Sequence, residues 1–316
     1  LGLEKEDGVA WREEEGVRVE ASHIRRDDKP ICVVIARVLP ATDLGLIVEP
    51  RSRRPDARRI TLGDPRFDDR SAFLRVWADE PDRAGRLLGS EVRDEVLSVP
   101  TGFALRLTDG SVRLEEPGAP TTSFYDRAIP IAASLARAVR QAADVTPPAT
   151  ALSRKAKRYR KVANERGLEV STTPLGLFGR VDGRELGILS VRRATGVFGA
   201  RAVGRLGLPG ALTVETRYGA QSKTDEIAIG DGAFTEALRV RASDEAFVRR
   251  VLDHEAREAL LELSQLGRFE LSQAALSIDM QTVPSARDAS RLIDRLGTAI
   301  QLMHGRASGA SGQAYR

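Results

Sequence analysis

The chain of 316 residues has one cysteine, Cys32. A single thiol excludes an intrachain disulfide framework and any metal site built from several cysteines. It lies in the run Ile31–Ala36, the longest apolar stretch. That run is strand-sized and far short of the ~18 apolar residues a membrane span needs. Histidine is also scarce, at three. His254-Glu255-x-x-Glu258 puts an imidazole and a carboxylate on one helical face, but the second histidine of a His-Glu-x-x-His zinc motif is missing, and His23 and His304 lie far away in sequence. No Gly-x-Ser-x-Gly elbow is present to present a nucleophile. Gly199-Ala-Arg-Ala-Val-Gly204 has the glycine spacing of a phosphate loop, but Arg205-Leu206 follows where Lys-Ser or Lys-Thr must hold phosphates and magnesium. No cofactor or metal is expected.

The composition is that of an ordinary globular protein, 41% hydrophobic and 30% charged, and the length fits two domains. Lysine is rare: the 49 basic residues are 43 arginines and 6 lysines. The 45 acidic residues almost cancel them, for a net charge of +4. A general nucleic-acid coat of positive charge is therefore not indicated. The chain opens at Leu1 rather than methionine, which reads as a trimmed start, with room for a signal or anchor upstream.

One pattern is written twice. Gly63-Asp64-Pro65-Arg66-Phe67-Asp68, Arg75-Val76, Arg86-Leu87-Leu88 and Glu91-x-Arg93 return as Gly230-Asp231-Gly232-Ala233-Phe234, Arg239-Val240, Arg250-Val251-Leu252 and Glu255-x-Arg257. Arg75/Arg239, Arg86/Arg250 and Arg93/Arg257 are each 164 positions apart, a duplication signal.

In order along the chain, Asp7-Gly8 and Val17-Arg18-Val19 predict a hairpin, with Asp182-Gly183 and Leu186–Leu189 as its counterpart. Ile31–Leu39 and Leu46–Val48 predict strands, Arg51–Arg59 an arginine-rich loop, and Phe73–Trp77 an alternating strand. Two short helices follow, 80–88 and 91–97, with Gly89 as stop and Ser90 as N-cap. In the second copy Ser243 is expected to cap one helix carrying Phe247 to Leu263. Phe103–Leu107, Asp109-Gly110 and Val112–Leu114 form a hairpin, echoed by Phe269–Leu271 and Leu276–Ile278. A closing helix ends each half, 126–142 and 288–303. Together these predict an α+β fold by internal duplication. The expected domains are 1–144, read as lacking its leading helix, and 151–306, each with a mainly antiparallel sheet and two to four helices. Val145–Thr150 is the linker, and the Gly/Ser/Ala-rich tail 307–316 is expected to be disordered.

Candidate chemistry is thin. Asp64, Asp68, Asp69 and Asp231 sit at turns, where capping accounts for Asp64 and Asp231. The one local charge anomaly is a helix over 152–166 ended by Gly167, with Leu152, Ala156, Tyr159 and Ala163 on one face. It carries Arg154, Lys155, Lys157, Arg158, Arg160 and Lys161, which include half of all the lysines. Such a helix is either a solvated outer face or an anion-binding surface for nucleic acid or an anionic membrane.

The duplicated Gly-Asp-Pro-x-Phe-Asp turn, the Arg-Val strand and the Leu-Leu…Glu-x-Arg helices resemble uncharacterised bacterial proteins in which this segment often follows a membrane anchor. The likeness covers about 60–110 and 168–280, and copy two departs from it at Gly232 and Thr235. It implies a fold unit and an envelope association, but no reaction. The sequence is read as a non-enzymatic binding or scaffold protein that recognises another protein, cytoplasmic or membrane-peripheral, with no small-molecule ligand. The alternatives are a nucleic-acid or anionic-membrane binder using helix 153–161, and an enzyme whose site is assembled from distant loops.

Overall fold

The computed structural model describes residues 4–6, 9–50, 59–69, 73–181, 183–193, 196–217, 226–229 and 232–308. Asp7-Gly8, Arg51–Arg58, Asp182, Gly230-Asp231 and 309–316, each part of an expectation above, lie outside them. The fold is mixed, with two antiparallel sheets and helices, in two compact units: Leu1–Ala151 with Thr172–Pro174, and Leu152–Ser171 with Leu175–Arg316.

The first unit opens with β1 (Glu4–Glu6), β2 (Val9–Glu14), β3 (Val17–Arg26) and β4 (Lys29–Arg37), an antiparallel meander. Two tight turns set its register. Glu15 and Gly16, then Asp27 and Asp28, all have positive φ, the backbone that matches the twist of paired strands. After β5 (Ile47–Pro50) come the one-turn helix α1 (Pro65–Asp68), β6 (Leu74–Trp77), α2 (Pro81–Leu87), α3 (Ser90–Ser98), the hairpin β7 (Ala104–Thr108) and β8 (Ser111–Pro117), and α4 (Thr122–Val145). The sheet order is β1-β2-β3-β4-β8-β7-β5-β6. Alternation along β3 and β4 sends Val17, Val19, Val34 and Ala36 to one face, and α4 covers it with Phe124, Ile129, Leu135 and Val139, all essentially inaccessible.

The second unit contains α5 (Ser153–Arg166), β9 (Glu169–Thr172), β10 (Leu175–Val181), β11 (Arg184–Arg192), β12 (Phe198–Arg205), β13 (Leu212–Thr216), α6 (Gly232–Ala237), β14 (Leu238–Ala242), α7 (Glu245–Val251), α8 (His254–Ser264), β15 (Arg268–Leu271), β16 (Ala275–Met280) and α9 (Ala286–Ser308). Thr172, the last residue of β9, belongs to the first unit. The sheet order, from β9, is β9-β10-β11-β12-β16-β15-β13-β14. Helix α9 packs on β10, β11 and β12. Gly204 of β12 lies where an added Cβ would sit 2.3 Å from Ile300 of α9, so the glycine gives the helix close access to the sheet. This also explains the Gly199–Gly204 spacing, which lies in an extended strand and not in a loop.

Several local expectations are corrected. Gly89 occupies the N-cap of α3 and Ser90 is its first helical residue. Asp244, not Ser243, caps α7, its carboxylate accepting from the Phe247 amide at 3.0 Å. The single helix over Phe247–Leu263 is two, because Asp253 starts α8 by accepting from the Ala256 amide. Among the described residues the second unit has five helices, not two to four. Strand β6 is buried at all four residues, Arg75 included, rather than alternating. Residues 307 and 308, expected to belong to a disordered tail, are the last of α9, and Ala307 is buried. In the 145–150 segment Val145 closes α4, and Thr146 and Ala149 are each 1% exposed. Phe67 and Phe234 are both buried.

Candidate functional site: the cationic helix α5

Helix α5 ends where the sequence says it must: Gly167 takes φ +64°, and the Leu168 amide bonds back to the Ala163 carbonyl at 2.9 Å. Leu152, Ala156, Tyr159 and Ala163 are buried, and Tyr159 is inaccessible to solvent. At 100° per residue the opposite side is Arg154, Lys157, Arg158 and Lys161, all exposed. Three contacts hold the helix against the start of α9. The Tyr159 hydroxyl donates to the Pro284 carbonyl at 3.1 Å, and Lys155 Nζ to the Val283 carbonyl. The Arg166 guanidinium donates to Ser290 Oγ at 2.8 Å and pairs with Asp294. Burial pushes the Tyr159 hydroxyl up, so it remains a donor.

The six candidate cations therefore separate. Arg154, Lys157, Arg158 and Lys161 form one solvent-facing stripe. Lys155 is drawn toward α9 as an anchor, and Arg160 lies on the flank away from it. Lys161 reaches Glu165 at 3.8 Å, both well exposed. Among the described residues Arg154, Lys157, Arg158 and Arg160 form no ion pair. This contrasts with arginines on the sheet of the same unit: Arg201 forks onto Asp279 at 2.7 and 2.8 Å, and Arg217 and Arg239 share Glu226 at 2.6 and 2.9 Å.

Between α5 and α9 runs a groove of about 530 Å³. One wall carries Arg158 and Lys161, and the other carries Arg287 and Arg291, which sequence reasoning missed. Both arginines are exposed and without an ion-pair partner among the described residues. A signal for Arg287 existed. Ser285 caps α9, bonding the Asp288 amide at 3.2 Å, and Arg287, the second residue of the helix, opposes the positive end of the helix dipole.

No family model matches the sequence. No curated protein matches it either. Among solved structures, the mycobacterial trehalose monomycolate transport factor A aligns over 48% of this chain and 94% of its own, at 10% identity and a TM-score of 0.33. At that score too little geometry is shared to transfer a fold or a role.

The other candidate groups are tied into the fold. Asp64 caps α1, accepting from the Arg66 amide at 3.0 Å and from its guanidinium at 2.8 Å. The Arg66 hydrogen bond, with Arg93 adding, holds its carboxyl down at about 2. Asp68 accepts from the amides of Leu62 and Asp64, both at 2.9 Å. In the sequence Asp109 is legible only as a turn residue. Its half-buried carboxylate reaches back to Thr42 Oγ1 at 2.5 Å and to the amides of Leu44, Gly45 and Leu46 at 2.8–3.2 Å. Buried Asp43 accepts from Arg83 at 2.7 Å. His254 and Glu258 are an exposed pair at 3.5 Å. Cys32 is buried, with Sγ directed at the Ala119 carbonyl. Among the described residues no group of three or more histidine, cysteine or acidic side chains could hold a metal ion, and no helix is long and apolar enough to cross a membrane.

Proposed function

We propose that this chain is a non-enzymatic binding protein made of two duplicated α+β units, and that it recognises another protein through the cationic face of α5. Duplication is supported by the strand orders, which coincide when β9 to β16 are read in place of β1 to β8. It is supported too by the closing helices, whose buried residues Ala128, Ile129, Ala132, Ala136 and Val139 recur 164 positions later as Leu292, Ile293, Leu296, Ile300 and Met303.

The observation that carries the binding surface is the stripe Arg154, Lys157, Arg158 and Lys161, left without carboxylate neutralisation beyond the 3.8 Å approach of Glu165. A folded chain gains nothing from clustering like charges at i, i+3 and i+4. A partner of opposite charge gives the cluster a purpose and speeds encounter. The nature of the face favours a protein partner. Ala156, Tyr159 and Ala163 point inward and Val162 is half-buried on the side of the α9 groove, so the solvent-facing stripe has no apolar band to sink into lipid, and the one aromatic, Tyr159, is buried and unable to stack on a base. The density of cations supports one second reading, a peripheral binder of nucleic acid or anionic membrane.

Affinity capture from a native cell extract, with and without nuclease, tests the proposal. The expected result is a stoichiometric protein partner that survives nuclease and is lost when the four stripe residues become alanine. Capture unchanged in that variant would overturn it, and loss on nuclease treatment alone would select the second reading.

A further inference from the structure

We infer that the groove between α5 and α9 is the seat of an acidic peptide segment of the partner, in which carboxylates alternate with apolar side chains. The inference rests on the proposed role of α5 and adds the residues that would give it specificity, Arg287 and Arg291.

The groove's make-up selects this ligand. Its two walls each present a pair of cations one helical turn apart, Arg158/Lys161 and Arg287/Arg291, and its size of about 530 Å³ suits a short segment. Between the pairs lie Val162 and Ala286, both partly buried. A single carboxylate, Glu165, sits among the lining residues. A sugar-phosphate backbone has no use for the apolar strip and meets repulsion at Glu165. A peptide can place carboxylates against the arginine and lysine walls, lay an apolar side chain on Val162 and Ala286, and put a neutral residue opposite Glu165. Arginines suit this role because their planar fork takes a carboxylate in two parallel bonds. Arg287 and Arg291 are exposed and without an ion-pair partner among the described residues, so changing them removes recognition without breaking a fold contact.

The test is fluorescence anisotropy of the full chain with a labelled peptide of alternating aspartate and leucine, beside a labelled DNA duplex and vesicles containing phosphatidylserine. The peptide is expected to bind more tightly than duplex or vesicle. R287A/R291A is expected to weaken it about tenfold or more with an unchanged circular dichroism spectrum, while R160A, on the far flank, leaves it unchanged. Peptide binding equal in R287A/R291A and the unaltered chain would overturn the groove. If R154A/K157A alone then weakened capture of the cellular partner, the proposed role of α5 would stand without the groove; if it did not, both would fall. Tighter binding of duplex or vesicle than of peptide would also overturn the inference.

Discussion

Tyr159 is the residue on which the outward presentation of α5 depends, and two substitutions separate its contributions. Tyr159→Phe keeps the ring, which is inaccessible to solvent, and removes only the hydroxyl that donates to the Pro284 carbonyl at 3.1 Å. A lost hydrogen bond with a part-buried acceptor left behind costs about 1–2 kcal/mol. Tyr159→Ala removes the ring as well and leaves a cavity against α9, at about 3–5 kcal/mol in all. Because α5 is held to its unit by few contacts, this loss should emerge as local opening of the helix. Hydrogen exchange read by mass spectrometry over Ala156–Ala163 would report it directly. At about 1.4 kcal/mol per factor of ten, exchange there should quicken roughly tenfold in Tyr159→Phe and by about two to three and a half powers of ten in Tyr159→Ala. An acceleration below about tenfold in Tyr159→Ala would refute the reasoning, since α5 would then be held by something other than its apolar face.

Three further outcomes are expected. Asp109→Ala strips the acceptor from the amides of Leu44, Gly45 and Leu46, and should cost about 3 kcal/mol or more in urea unfolding; a shift under about 1 kcal/mol would mean that water replaces the carboxylate. Asp64, held at about 2 against an ordinary 3.8 by Arg66, contributes stability that is present above pH 3.8 and lost as pH falls toward 2. Asp64→Asn should therefore flatten the acid limb of the stability curve in that window, and an unaltered limb would contradict the assignment. Gly267→Ala would place a Cβ 2.3 Å from the Asp279 carbonyl oxygen, a backbone atom with little room to yield. Destabilisation on the order of 3 kcal/mol is expected in the same unfolding assay, and a neutral result would show that the strand shifts freely.

The strands and closing helices were legible because their burial obeys simple periods. The alternation of Val17-Arg18-Val19 and the helical spacing of Leu292, Leu296 and Ile300 each point one way. What escaped depended on contacts remote in sequence or on one-residue competition. Asp109 looks complete as half of an Asp-Gly turn, and nothing local shows that its carboxylate captures amides more than sixty positions earlier. Arg75 reads as the polar member of an alternating strand, yet β6 is buried on both faces. Ser243 and Asp244 are both good caps, and only the observed bond to Phe247 chooses between them. Of the candidate site, the stripe on α5 followed from the 3.6-residue period together with Tyr159 and Ala163. The facing wall did not, because Arg287 and Arg291 come from another helix. Arg287 alone left a trace in the sequence, a cation in the first turn of α9 against the helix dipole.

The most direct test of the central claim is the affinity of the partner recovered from nuclease-treated extract, titrated against increasing salt for the unaltered chain and for R154A/K157A/R158A/K161A. If the cationic face of α5 is the recognition surface, affinity falls as salt rises, and the variant binds about tenfold or more weakly with a shallower dependence. Equal affinity and equal salt dependence in the two proteins would contradict the claim.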